Sequence, residues 1–426
     1  MARIVLENIN NSSPSTTINW IKGTYQILFN VELDADETIS VMNVFSSVGW
    51  LTIKEKTYYY INYDVTENNT INSRRGFITI NITTNKDTFS KVVIINQSSF
   101  EILPIWADKF VRIETSLNYV SYNIKHNNNI IYGGKAYIIP NTNYVEIDIS
   151  KICSSYIDSS MESAFNAPQD FNTQNGIGLF SLYVNDELYS SYLFYNSYSY
   201  KGNPPYIYHN NDYFVKLSEP IRNVYDSRQY IIYSFFNATN TSSYDITFYF
   251  HKEVYTHSSF TGSCLGRTEY TTLAKAPEGF DMAQFFSEYI PIKKTCCKYC
   301  LYYQNALGGW DSFLINGNDK QTDKITSYKY IKAVNNTTRD FGTKKYLNVI
   351  NSTYKLYTDY LTDDEASRMY HLLESTEVYL HNLEDDTIIP VNITNNTCEY
   401  KTFSNNGKKK FYYEIDVEFA QHKIRQ

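Results

Sequence analysis

The chain has 426 residues and carries 38 Lys plus Arg against 45 Asp plus Glu, a net charge of −7. That balance argues against a nucleic-acid-coating protein and leaves only a local basic patch open to such a partner. Charged residues are 19% and aromatics 16%, with 42 Tyr against 4 Trp, so the polar surface must be built largely from neutral Asn, Thr, Ser and tyrosine hydroxyls.

Apolar runs are short, as in Tyr230-Ile231-Ile232-Tyr233, so no segment is expected to span a bilayer. Six cysteines are too few for a disulfide framework. Residues 1–7 lead into no apolar export core, which points to synthesis in a reducing cytoplasm. Tyr, Ile, Thr and Val suit pleated strands, while Asn and Gly suit their turns. The expected fold class is all-β: an N-terminal sandwich, then further sandwich or barrel modules, with one short amphipathic helix near 363–375.

Residues 25–99 read as a compact sandwich. Strand signals are Tyr25-Gln26-Ile27-Leu28-Phe29, Thr38-Ile39-Ser40-Val41, residues 76–82 and Lys91-Val92-Val93-Ile94-Ile95. Ile78, Ile80 and Ile82 alternate with Thr79 and Asn81, as in a sheet with one wet face. Gly49-Trp50-Leu51, Asn68-Asn69-Thr70, Arg74-Arg75-Gly76 before the isoleucine strand, and a closing strand ending Asn96-Gln97 together resemble a BACON domain. This is an Ig-like sandwich common in Bacteroidetes proteins and their phages. Lys54-Glu55-Lys56 departs from the small residues usual there. The first domain is drawn as 1–100, with Trp50 in its core and Tyr58-Tyr59-Tyr60 in an ordinary strand. The competing reading makes these aromatics a platform for sugar rings.

A second β region covers 101–295, divided near 202–206 by Lys201-Gly202-Asn203-Pro204-Pro205. Gly133-Gly134 reads as a hairpin turn between arms at 130–132 and 136–139. Val145, Ile147 and Ile149 alternate with Glu146 and Asp148. A second hairpin crosses Asn185-Asp186-Glu187, and strands follow at 230–236 and 246–250. The last region, 296–426, reads as a barrel or sandwich with the helix laid across it. Thr362 and Glu365 form a capping box, Leu361 and Ala366 a staple, and Ala366, Met369, Tyr370 and Leu373 an apolar stripe. Strands at 388–393 and 398–403, an Asn406-Gly407 turn, and alternation from Phe411 through Tyr413, Ile415 and Val417 to Phe419 complete it.

Chemical motifs are sparse. Cys296, Cys297 and Cys300 include one Cys-x-x-Cys without a second pair, which reads as free thiols at a strand edge rather than zinc. Gly262-Ser263-Cys264-Leu265-Gly266 has the outline of a nucleophile elbow but no apolar strand before it, and reads as a surface turn. No metalloprotease, phosphate-loop or dinucleotide motif occurs, and no spacing selects a carboxylate pair. Lys408-Lys409-Lys410 reads as a solvated turn. No residue is assigned a catalytic, cofactor or metal role.

The string from Leu301 through Gly308-Gly309-Trp310-Asp311, the segment Tyr132-Gly133-Gly134-Lys135-Ala136-Tyr137 and the helix region at 361–380 resemble tail-associated structural proteins of Bacteroidetes phages, including crAss-like phages. The resemblance implies a non-enzymatic ring, hub or adaptor subunit of the virion tail, assembled in the host cytoplasm. It implies a homo-oligomer bound to other tail or portal-associated proteins, with no cofactor, nucleic acid or membrane span. A glycan-binding protein contacting host surface sugars is the second reading, and a hydrolase the third.

Overall fold

The computed structural model describes residues 3–12, 14–18, 20–68, 73–99, 103–158, 161, 164–165, 170–197, 206–209, 212–222, 224–238, 243–252, 255–265, 267–316, 319–332, 342–395, 401–405, 408–420 and 423–425. The expected boundary loop at 201–205 and the Asn406-Gly407 turn lie outside them, as do Asn69, Thr70, Gly266 and residues 398–400. The fold is all-β, with strands in several sheets. The chain divides into two compact units. One comprises residues 1–103, 110–149 and 179–194; the other comprises 104–109, 150–178 and 195–426.

The first unit opens with a sandwich of two four-stranded sheets. One runs Arg3–Leu6, Gly23–Glu32, Tyr60–Val65, Leu51–Lys56 in spatial order; the other runs Ser15–Ile18, Thr88–Gln97, Arg74–Thr84, Ile39–Ser46. Ser15–Ile18 pairs parallel with Thr88–Gln97, whereas the remaining ladders are antiparallel. Ile78, Ile80 and Ile82 are fully buried, as their alternation requires, and pack with Ile27, Phe29, Ile61, Tyr63, Val93 and Ile95.

The same unit continues with the strands Phe110–Glu114 and Tyr144–Asp148, paired with each other, and a five-stranded sheet ordered Asn129–Tyr137, Tyr119–His126, Ile177–Val184, Glu187–Tyr195, Leu103–Pro104. Val145 and Ile147 are buried as expected. Ile149 is buried too, but it starts a one-turn helix, Ile149–Cys153, a second helix beyond the one expected. The glycine-turn expectation is corrected. Gly133 and Gly134 lie inside the continuous strand Asn129–Tyr137, and the chain reverses at Asn127-Asn128, whose φ values are 48° and 66°. A two-residue turn with both φ positive matches the strand twist, and Asn tolerates that backbone. Asn185-Asp186 turns the other hairpin in the same way, with φ of 49° and 68°.

The second unit holds two five-stranded sheets around an aromatic core that includes Phe171, Phe214, Phe235, Phe248, Phe250, Phe285 and Phe286. Tyr230–Asn237 is a central strand of one of them, buried along nearly its whole length. Ile231, Tyr233 and Phe235 enter the aromatic core, while Ile232 enters a separate cluster with Leu273, Cys300, Tyr302, Trp310 and Leu314. Burial on both faces accounts for its nearly unbroken apolar sequence, interrupted at Ser234.

A larger sheet in the same unit is ordered Trp310–Ile315, Tyr299–Gln304, Val378–Asn382, Thr387–Ile393, Glu414–Phe419, Gly342–Tyr357, Asp319–Lys332, and Lys423–Arg425 also pairs with Gly342–Tyr357. Helix Asp363–Leu373 packs on it. Its capping box forms as expected, with Thr362 accepting from the Glu365 N–H and Glu365 accepting from the Thr362 N–H. Its buried face is Ala366, Met369 and Leu372, with Leu373 partly buried and Tyr370 at the margin. Lys408–Tyr412 is not continuous with Glu414–Phe419 but pairs with Lys401–Asn405.

Candidate functional site

The BACON-like residues of the first sandwich meet in space. Gly76 lies under the 48–51 turn so closely that a Cβ would stand 2.7 Å from Leu51 Cδ1 and Val48 Cγ2, and 3.0 Å from Trp50 Cζ2. The Arg74 guanidinium covers the Trp50 ring at 4.5 Å and donates to the Thr66 carbonyl at 2.5 Å, the Glu67 carbonyl at 3.0 Å and Gln97 Oε1 at 2.7 Å. Trp50 is therefore half-buried at the edge of the core, which corrects the expectation of a core residue. The deeply buried tryptophan is Trp20, 4% exposed. Tyr58 and Tyr59 are exposed at 47% and 70% in the turn before Tyr60–Val65, not within a strand. The motif thus clips a turn to a sheet, and Tyr58 and Tyr59 project from the opposite end of the hairpin of Leu51–Lys56 and Tyr60–Val65.

Three of the four cysteines in these motifs are buried. Gly262, Ser263 and Cys264 end the strand Tyr255–Cys264 rather than forming a surface turn. A Cβ on Gly262 would fall 1.8 Å from the Phe171 ring, so the glycine exists for close packing. Burial pushes the Cys264 thiol up to about 12, which keeps it protonated and non-nucleophilic at neutral pH. Cys296 is exposed, Cys297 is buried beside Asn316 Oδ1, and Cys300 is buried in the interior strand Tyr299–Gln304 rather than at an edge. Among the described residues no group of three or more His, Cys, Asp or Glu is placed to hold a metal ion.

The Gly308-Gly309-Trp310-Asp311 string forms the tight connection between Tyr299–Gln304 and Trp310–Ile315. Gly308 has φ +90°, and its Cβ would stand 1.9 Å from the Asn196 carbonyl oxygen; that of Gly309 would stand 2.6 Å from the Leu217 carbonyl oxygen. Trp310 and Asp311 are fully buried. Trp310 N–H donates to Ser234 Oγ at 2.8 Å. Asp311 Oδ2 accepts from Asn305 Nδ2 at 2.6 Å and from the Glu219 N–H at 2.9 Å. Burial raises the Asp311 carboxyl to about 7 despite those donors. Asp386, His381 and Tyr302 form a chain of 2.9 Å hydrogen bonds, yet His381 and Tyr302 are fully buried, and the Tyr302 hydroxyl accepts the Tyr230 N–H. These networks join strands, and Asp386, the exposed end of the second, is also paired with Lys275 at 2.8 Å. A cleft of about 260 Å³ lies beside Lys216 and Glu288, whose charges are spent on each other at 2.7 Å.

Two surfaces stand out instead. Asn129–Tyr137 is the edge of its sheet and exposes Ile130, Tyr132 and Tyr137. The strands Asp319–Lys332 and Gly342–Tyr357 form a hairpin whose first strand is exposed nearly throughout. Its Lys, Thr and Tyr, with little apolar alternation, are the signal in the sequence for an exposed ribbon.

No family model and no curated protein matches the chain. Among solved structures, a three-Ig segment of titin is 9% identical, covers 70% of this chain and 100% of that one, and gives a TM-score of 0.16. A four-domain ICAM-5 ectodomain fragment is 6% identical, with 81% and 98% covered and a TM-score of 0.17. A Bacteroides ovatus GH5 xyloglucanase is 13% identical with a TM-score of 0.17; the match covers 24% of this chain and only 20% of that enzyme. Superpositions at this level carry no argument about activity.

Proposed function

We propose that the chain is a non-enzymatic structural subunit of a phage tail, a ring, hub or adaptor that works through protein–protein assembly. The observation that carries the assembly reading is the edge strand Asn129–Tyr137, with Ile130 exposed at 61% and Tyr137 at 69%. An edge strand offers unpaired backbone donors and acceptors that a neighbouring strand can complete. Its charged residue, Lys135, lies over the Tyr119 ring at 4.5 Å. Tyrosine adds area while keeping a hydroxyl for hydrogen bonds, which suits interfaces. The tail assignment rests on the sequence resemblance and extends the assembly reading to a virion.

Size-exclusion chromatography with light scattering tests it. The expected result is an oligomer that Ile130→Lys converts to monomer without lowering Tm. A chain that stays monomeric alone and with every neighbouring tail protein would sink the proposal. The exposed pair Tyr58 and Tyr59 supports the second reading, a sugar-stacking surface; a glycan array with the full chain, and loss of its signal in Tyr59→Ala, checks it.

A further inference from the structure

The hairpin of Asp319–Lys332 and Gly342–Tyr357 changes character along its length. At its base, Asp319, Asp323 and Glu418 accompany the lysines, and Lys355 is paired with Glu414 and Asp416. From Lys324 outward, through residues 332 and 342–352, the described residues include Lys324, Lys329, Lys332, Lys344 and Lys345 and no carboxylate. All five lysines are exposed. The connecting residues 333–341 add one Arg and one Asp, which cancel. A segment with five positive charges thus projects from a chain whose net charge is −7.

Two features bear on what this segment binds. Lys329 and Lys345 are direct cross-strand partners, and like charges placed opposite each other destabilise a ladder unless something negative lies between them. Tyr328, Tyr330 and Tyr346 cluster on the same segment, with ring centroids 6.3 Å apart in both contacting pairs, and all three are about half exposed. Beyond the pairing of Asn348–Ile350 with Lys423–Arg425, the arm is two strands wide among the described residues.

From this geometry we infer that the distal arm binds a DNA duplex, its lysines on the phosphates and its two-stranded ribbon in the major groove. A protein partner fits the same surface poorly, because interface cores are depleted in lysine and each buried ammonium must be desolvated. Phosphates instead reward exposed lysines through counterion release. The major groove, about 12 Å wide, admits a two-stranded ribbon. The whole-chain charge balance, which reads against a nucleic-acid partner, averages this segment away.

The test uses the full chain and a labelled duplex of about two helical turns, followed by fluorescence anisotropy between about 50 and 200 mM salt. Binding independent of sequence is expected, with affinity falling steeply as salt rises. The double variant Lys329→Gln/Lys345→Gln should bind several-fold more weakly, with its salt slope reduced by about 2. Its Tm should be equal or higher, since a like-charge pair is removed. Lys293→Gln/Lys294→Gln, exposed lysines away from the arm, should bind as the parent does. No binding at low salt, or equal binding by the arm variant, overturns the inference. So does a result in which the arm variant loses self-association but not DNA, which would assign the arm to an acidic face of a second copy.

Discussion

Residues set the sharpest constraints on this molecule. Trp20 and Trp50 sit in one sandwich, but only Trp20 is deeply buried. Trp20→Ala should cost about 3–5 kcal/mol and Trp50→Ala less, because a partly buried ring surrenders less area. Denaturant unfolding of the two variants checks the order. Gly308→Ala should cost at least about 2 kcal/mol, since the backbone is left-handed there and the new Cβ would meet a carbonyl that cannot swing aside. Buried titrating groups then fix the pH profile. Burial raises Glu269 from the usual carboxylate range to about 8 and Asp311 to about 7. Between those values and the ordinary ones, the folded chain holds protons that the unfolded chain has released. Their stabilisation is therefore complete at low pH and drains as pH rises toward 8. His381 acts oppositely: burial lowers it despite Asp386, so its contribution is lost as pH falls below about 6.5. Tm should fall by at least about 4 °C between about pH 5 and pH 8, and Glu269→Gln should flatten that slope. A profile unchanged in Glu269→Gln would show that the carboxyl is ionised in the fold.

At the scale of elements, local chemistry was legible wherever a side chain satisfies its own backbone. The Thr362/Glu365 box is the example: both partners lie within one turn, and no distant contact is needed to form it. Thr362→Ala should cost about 1 kcal/mol and Thr362→Ser almost nothing, measured by thermal unfolding. The Gly133-Gly134 pair does not turn the chain, because glycine is only permissive of a turn. Asn127-Asn128 adopts the positive φ values, while Gly133 lies within the strand, where a Cβ would meet the movable Asn123 Oδ1 at 2.7 Å. Close packing selects glycine for a different reason at Gly262, against the buried Phe171 ring. The helix stripe differs from its periodicity at one position: packing against the sheet buries Leu372 completely and leaves Tyr370 at the margin.

For the whole molecule, assembly and duplex binding make opposite demands on salt. Contacts through Ile130, Tyr132 and Tyr137 are apolar or neutral and little screened, so the proposed oligomer should persist when salt rises from about 0.1 to 1 M. Binding by the lysine arm should disappear over the same range. Light scattering and anisotropy on one sample separate the two. An oligomer that dissociates with salt would move the arm into the subunit contact.

The all-β character, the alternation of Ile78, Ile80 and Ile82, the burial of Val145 and Ile147 and the capped helix were determined by the sequence itself, because period-two patterning and local hydrogen bonds need only neighbours along the chain. Tertiary structure alone decided that Trp20 rather than Trp50 is buried, that Cys264 and Cys300 are sealed, and that Asp311 is a buried network residue. Each depends on which strand arrives from far away: residues 171, 217–219 and 234 supply the atoms that enclose the Gly262 strand and the Trp310 turn. The arm belongs to both. Its lysines and tyrosines are written in the sequence, but only strand pairing places Lys329 opposite Lys345.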